Sequence, residues 1–155
     1  MSQIHVEAER IVNARPEDAF RFLANYRDRR PTILTKDYSN YQVVKGGSGA
    51  GTVFTYTFHT ARGDRPYEMR VEEPAKNTLL ERDTRSSLTT TWRVAPAGDS
   101  SQSRVSIVTE WAGASGIGGF FERTFAPASL KRTYMAILDR LNEVVASSGT
   151  GRAAG

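Results

Sequence analysis

The chain has 155 residues, about the length of one ordinary domain, and its 39% hydrophobic content is typical of a globular protein. It contains no cysteine and only two histidines, which excludes a disulfide framework, a thiolate nucleophile, cysteine-based zinc sites and a multi-histidine metal centre. The net charge of +4 comes from arginines scattered along the chain, usually close to an acid. This pattern favours a solvated surface over a nucleic-acid partner.

The first predicted elements are a strand and a short helix. Apolar residues of Ile4 to Val12 follow mostly period two, which indicates a half-buried strand. Pro16 and the acids after it are typical of a helix start. This helix must end by Pro31, because the residue before a proline avoids helical angles. A second short helical turn is predicted around Asn25 to Arg30.

Six further short strands follow, separated by tight turns. They are predicted at Tyr38 to Lys45, Val53 to Thr60, Pro66 to Glu72, Thr78 to Thr84, Ser87 to Val94 and Arg104 to Trp111. Strands in such close succession predict an antiparallel meander that curls. The glycine-rich segment between the first two, GGSGAG, is followed by a strand rather than a helix. It therefore favours a hairpin turn with positive φ over a phosphate-binding loop.

The end of the chain changes to a helical period. Apolar residues recur every three or four positions from Leu130 to Val145, which predicts a long amphipathic helix that begins near Gly119 or restarts at Pro127. The preceding segment, Gly113 to Phe125, combines glycines with phenylalanines. It is interpreted either as a lid over a pocket or as an ordinary loop. Residues 148–155 lack an apolar face and predict a flexible tail after a single domain of residues 1–147.

Large apolar side chains collect on one face of the predicted sheet. Phe54, Tyr56 and Phe58 alternate along one strand, and similar sets occur on its neighbours. We assign these sets to the inner face, where they either fill a core or line a cavity. His59 falls on the opposite face, which argues against a catalytic role unless a strand bulge reverses the face.

Four segments occur along the chain in the order VNARPEDAFRFLANY, YQVVKGGSGAGTVFTYT, MRVEEP and SLKRTYMAILDRLNEVV. Taken together in this order, they resemble the START-like superfamily of polyketide cyclases, dehydratases and lipid-transport-like proteins (SRPBCC proteins). The resemblance covers Ile4 to about Ala146. It implies an α+β helix-grip fold, in which a curved antiparallel sheet of about seven strands, two short helices and a long C-terminal helix enclose a pocket. It does not imply one activity.

The leading hypothesis is binding of a hydrophobic small molecule or lipid in that cavity, as a carrier or sensor. The expected ligand contacts are Phe54, Tyr56, Phe58, Tyr67, Met69, Arg82, Trp92, Trp111, Phe120, Tyr134 and Leu138. Arg82 and the tyrosine hydroxyls are expected to orient a polar end of the ligand. No cofactor or metal is expected.

Two alternatives stay open. One is a polyketide cyclase or dehydratase, with Tyr56, Tyr67, Arg82 and Glu81 as candidate acid–base or oxyanion groups. The other is a protein-interaction module that docks a partner through its aromatic lid. No stretch approaches the roughly 18 apolar residues of a membrane span, and no secretory leader is recognised. We therefore expect a cytoplasmic monomer or homodimer.

Overall fold

A computed structural model describes residues 3–61, 63–112 and 127–154. The seven strands are β1 (Gln3–Val12), β2 (Tyr38–Lys45), β3 (Val53–Thr60), β4 (Gly63–Glu72), β5 (Thr78–Asp83), β6 (Thr89–Pro96) and β7 (Ser103–Ala112). The helices are α1 (Pro16–Ala24) and α2 (Pro127–Ala154), and a 3₁₀ turn spans Arg30–Ile33. This turn lies a few residues after the predicted one.

The strands form a single antiparallel sheet in the order β1-β7-β6-β5-β4-β3-β2. Strands β2 to β7 are a meander of sequential neighbours, and β1 pairs with β7 over its whole length. The predicted α+β helix-grip architecture is confirmed. Because β1 and β2 do not pair with each other, the sheet is open, and β2 is an edge strand held by β3 alone.

The period-two pattern places apolar residues on the face covered by α2. Along β7 the side chains of Val105, Ile107 and Trp111 are fully buried, whereas alternate positions are partly exposed. From α2 the covering side chains are Leu130, Tyr134, Ile137, Leu138, Leu141 and Val145, all buried. The spacing of three and four between them is the helical stripe that the sequence predicted.

Both helices begin at prolines, where the missing N–H costs no helical hydrogen bond. In α1, Asp18 accepts a hydrogen bond from Nε of Arg15 at 2.9 Å. Helix α2 begins at Pro127 and extends to Ala154, past the domain boundary predicted at residue 147. That boundary and the flexibility of the residues after it stay predictions.

The glycine segment is the hairpin that joins β2 to β3, as predicted. All four of its glycines have positive φ, between 59° and 142°. The hairpin lies against the end of α1, where the carbonyl of Gly47 accepts from the N–H of Tyr26 (3.0 Å) and the N–H of Gly49 donates to the carbonyl of Ala24 (2.9 Å). The loop therefore fixes α1 to the sheet.

We expect Gly46→Ala to lower the free energy of unfolding by about 2 kcal/mol, of which 1–2 kcal/mol is the cost of a left-handed conformation. An added Cβ at Gly46 would also lie 3.0 Å from the Cα of Thr52, a backbone atom that cannot move aside. Gly51→Ala is the control, because its Cβ would meet nothing within 4 Å and only the strain of its φ of +90° remains. Urea unfolding of both variants measures the difference, and equal losses would contradict the steric contribution.

Candidate functional site

Two adjoining cavities lie between the inner face of the sheet and α2. Their volumes are about 40 and 20 Å³, and they share Tyr38, Tyr56, Thr90 and Tyr134 as wall residues. The remaining lining residues are Arg30, Leu34, Tyr41, Phe54, Phe58, Tyr67, Glu81, Leu88, Trp92, Leu130 and Ile137. Eight of these fifteen side chains are aromatic, so the walls present mainly ring faces and phenolic hydroxyls.

The aromatic rings contact one another in a continuous series across β2, β3 and β4. The ring of Tyr56 lies 5.2 Å from Tyr38, 5.9 Å from Phe54 and 5.4 Å from Tyr67, measured between centroids. Period-two alternation brings these side chains to one face, and the antiparallel register sets Tyr56 directly opposite Tyr67. The series forms a broad apolar surface with polar tips.

A buried ion pair closes one side of the larger cavity. Arg30, from the 3₁₀ turn, and Glu81, from β5, are each 4% exposed, and Nη2 of Arg30 donates to Oε2 of Glu81. The same oxygen accepts from the hydroxyl of Tyr26 at 2.6 Å. Nη1 of Arg30 donates to the carbonyl of Leu23 at 3.3 Å. Both charges are therefore hydrogen-bonded inside the protein.

Two aromatic rings also contact the guanidinium of Arg30. Its Cζ lies 4.6 Å from the ring centroid of Tyr26 and 4.3 Å from that of Trp92, within cation–π distance of both. The indole N–H of Trp92 is buried and lies close to the Glu81 carboxylate, but its geometry falls short of a hydrogen bond. Arg30 is thus surrounded by protein groups.

Burial raises the pKa of Glu81 above its usual range, while Arg30 and the Tyr26 hydroxyl oppose the shift by favouring the carboxylate. Arg30 keeps its proton at any physiological pH. The two charges of the pair therefore compensate each other at the cavity wall.

The hydroxyls of the cavity fall into two groups. Tyr134 is hydrogen-bonded to Thr109, which is bonded to Thr90 at 2.7 Å, and burial raises the pKa of Tyr134 to about 12. The hydroxyls of Tyr38 and Tyr56 make no hydrogen bond to another described residue, and burial raises the pKa of both phenols well above the ordinary value. These two hydroxyls are available to a ligand.

Six of the predicted contact residues line the cavities. They are Phe54, Tyr56, Phe58, Tyr67, Trp92 and Tyr134. Met69, Trp111 and Leu138 are at most 1% exposed, but they belong to the packed core and do not line either cavity. Phe120, together with the predicted lid of Gly113 to Phe125, lies outside the described residues.

The expected inward position of Arg82 is wrong. Its side chain is exposed on the outer face of the sheet, where Nε donates to Oε2 of Glu72 at 2.8 Å. Its neighbour Glu81 points inward instead, because successive residues of a strand alternate between faces. The inner cation is Arg30, one of the arginines that we expected on a solvated surface.

Eight wall residues were predicted neither as ligand contacts nor as acid–base groups. They are Arg30, Leu34, Tyr38, Tyr41, Leu88, Thr90, Leu130 and Ile137. For the tyrosines a signal existed, since Tyr38 and Tyr41 open a strand that pairs with an aromatic one. Their spacing of three breaks the period-two rule. The structure explains this by a register shift between Ser39 and Gln42, which lets both rings reach the inner side.

His59 lies on the outer side of the sheet, as predicted. Its Nε2 is 2.7 Å from Oγ of Ser39 and its Nδ1 is 2.7 Å from Oδ1 of Asp64. The hydrogen-bonded order Ser39–His59–Asp64 matches that of a catalytic triad. The Asp64 side chain is 62% exposed, however, so its carboxylate is hydrated rather than enclosed by protein. We interpret the three residues as a cross-strand link between β2, β3 and β4.

None of the described helices is long and apolar enough to span a membrane. No curated protein matches the sequence. Among solved structures, the KanY protein is 40% identical, with a TM-score of 0.82 over 94% of this chain and 99% of that one. The protein TTHA0849 of Thermus thermophilus is 20% identical, with a TM-score of 0.74 over 94% and 99%.

Two more distant structures share the fold. Norcoclaurine synthase of Thalictrum flavum, solved with a transition-state analogue, is 15% identical, with a TM-score of 0.71 over 96% of this chain and 97% of that one. A START superfamily protein of Mycobacterium smegmatis is 10% identical, with a TM-score of 0.67 over 92% and 97%. A family model described as "Polyketide cyclase / dehydrase and lipid transport" matches residues 3–146. The chain therefore belongs to this polyketide cyclase/dehydrase and lipid-transport family.

Proposed function

We propose that the protein binds an aromatic small molecule that carries an oxygen function, in the cavity between the sheet and α2. The observation that carries the proposal is the continuous series of ring contacts around Tyr56, with two phenolic hydroxyls that have no partner among the described residues. Offset stacking favours a flat aromatic guest over a flexible acyl chain. The family description supports a hydrophobic ligand.

The cavities must widen to admit such a guest. Volumes of about 40 and 20 Å³ hold water molecules, whereas a benzene ring occupies a cavity of about 150 Å³. Among the described walls, strand β2 is a candidate to move, because it is an edge strand with two register shifts and a positive φ at Asn40. It also carries two of the lining rings, Tyr38 and Tyr41.

The site favours binding over acid–base catalysis. Glu81, which the sequence suggested as a candidate base, is engaged by Arg30 and Tyr26. The pKa values of Tyr38, Tyr56 and Tyr67 are all raised by burial, which makes these phenols weaker acids. The polyketide cyclase or dehydratase alternative therefore finds no strong proton donor in Tyr38, Tyr56 or Tyr67.

Binding is tested by titration with N-phenyl-1-naphthylamine, an uncharged probe whose fluorescence rises in apolar surroundings. Native mass spectrometry of the purified protein provides the second measurement. We expect a saturable fluorescence signal with one probe bound per chain. Replacement of Tyr56 by Glu should abolish this signal, because it places a charge inside the cavity. A signal that does not saturate, or that is unchanged in Tyr56→Glu, would exclude the cavity as the binding site.

The available hydroxyls predict a preference between probes. We expect Tyr56→Phe to weaken binding of 2-naphthol about three- to tenfold, the value of one hydrogen bond of roughly 0.5–1.5 kcal/mol. Naphthalene is the control ligand, because it has no oxygen to bond and should bind the variant as well as the wild type. Both affinities are measured by displacement of N-phenyl-1-naphthylamine, and an equal loss for the two ligands would indicate altered packing instead.

A further inference from the structure

The charges that face the cavity are balanced. Among the described lining residues, Arg30 and Glu81 are the two charged ones, and they are paired with each other. The nearby acid Asp83 is 8% exposed but is used elsewhere, since its carboxylate accepts from the N–H of Glu68 and the hydroxyl of Ser86. The described part of the wall therefore offers a ligand no net charge.

The guanidinium of Arg30 is already engaged by protein groups, which limits the approach of an anion. Its Nη2 is bonded to Glu81 and its Nη1 to the carbonyl of Leu23, while the rings of Tyr26 and Trp92 contact the guanidinium. An anionic ligand would have to lose its hydration without gaining this cation. It would also approach the carboxylate of Glu81, and like charges in a poorly solvated site repel strongly.

We infer that Glu81 makes the cavity selective for uncharged aromatic ligands, because it holds the guanidinium that would otherwise attract an acid. This inference rests on the proposed function, and it assigns Glu81 a role in specificity rather than in catalysis. Phenols, quinones and neutral hydroxyketones meet this requirement for an uncharged ligand. Aromatic carboxylates and sulfonates do not.

The test compares ligands that share one ring system. The uncharged 2-naphthol and the anionic 2-naphthoate are used at pH 7 to displace N-phenyl-1-naphthylamine from the full-length protein. We expect 2-naphthol to bind the wild type at least tenfold more tightly. Equal or tighter binding of 2-naphthoate would overturn the selectivity while leaving cavity binding intact, whereas failure of the probe itself to bind would overturn the proposed function.

Glu81→Gln reverses the preference if the inference is correct. The amide keeps the shape and an acceptor for Tyr26, but it leaves the positive charge of Arg30 uncompensated. We expect the affinity for 2-naphthoate to rise at least tenfold and that for 2-naphthol to change less than threefold. Thermal unfolding with and without 2-naphthoate gives a second readout, in which the anion should raise the Tm of this variant more than that of the wild type.

Glu72→Gln is the matched control. It makes the same chemical change in another Glu–Arg pair, that of Glu72 with Arg82, but on the exposed outer face of the sheet. In this variant the ratio of the affinities for 2-naphthol and 2-naphthoate should equal that of the wild type. A folded Glu81→Gln protein whose ratio also stays unchanged would overturn the inference.

Discussion

Replacement of Arg30 by methionine should lower the free energy of unfolding by about 3–5 kcal/mol, the usual cost of leaving one partner of a buried ion pair uncompensated. Arg30 and Glu81 are each 4% exposed, so bulk solvent compensates the lost partner only weakly. The variant also loses the cation that both Tyr26 and Trp92 contact. Urea unfolding at pH 7 measures the change.

Two controls separate the ion pair from general damage. Arg82→Met removes the cation of the exposed pair with Glu72, and should cost at most about 1 kcal/mol because such pairs are weak. In the double variant Arg30→Met, Glu81→Leu neither charge of the pair is left, so we expect much of the lost stability to return. A double variant no more stable than Arg30→Met would contradict this account.

The pH dependence of Arg30→Met follows from the direction of the shift at Glu81. Burial raises the pKa of this carboxyl above its ordinary 4.5, and loss of the guanidinium raises it further. The folded variant then binds a proton more tightly than the unfolded chain does, so its stability falls as the pH rises through the folded-state pKa. The deficit relative to the wild type should therefore shrink as the pH is lowered toward 4.5.

Most of the fold could be predicted because it follows from the local periodicity of apolar residues. Alternation along Val53 to Thr60 correctly assigns Phe54 and Phe58 to the buried face, and places His59 on the other. The stripe from Leu130 to Val145 likewise identifies the face of α2 that covers the sheet. Such patterns depend on residues two, three or four positions apart, so they can be recognised in the local sequence.

The polar part of the site could not be predicted in the same way. Arg30 and Glu81 are 51 residues apart, and nothing in their local sequence shows that one meets the other. Closely spaced arginines such as Arg27, Arg29 and Arg30 are normally solvated, so burial of Arg30 depends on how the 3₁₀ turn packs. The error at Arg82 has the same origin, since one step along a strand reverses the face.

Above pH 10 we expect a steep loss of stability, because every tyrosine of the chain is protected in the folded state. The sequence has six, and burial raises the pKa of all six, Tyr26, Tyr38, Tyr41, Tyr56, Tyr67 and Tyr134. The folded protein keeps these protons while the unfolded chain releases them near pH 10. The stability is therefore complete below pH 10 and is lost as the pH rises.

The size of this effect decides where the protein unfolds. A tyrosine that ionises only in the unfolded chain removes about 1.4 kcal/mol at pH 11, so six of them remove roughly 8 kcal/mol, which is comparable to the whole stability of an ordinary domain. We expect cooperative unfolding near pH 11, followed by circular dichroism, with the tyrosinate absorbance at 295 nm rising in the same transition. We also expect Tyr67→Phe to lose about one sixth less stability than the wild type between pH 8 and pH 11, because the variant has one phenol fewer. Urea unfolding at both pH values measures this loss. The opposite outcome is that all six phenols ionise gradually near pH 10 while the protein stays folded. It would show that solvent reaches the cavity. It would then contradict the buried tyrosine cluster on which the proposed ligand site depends.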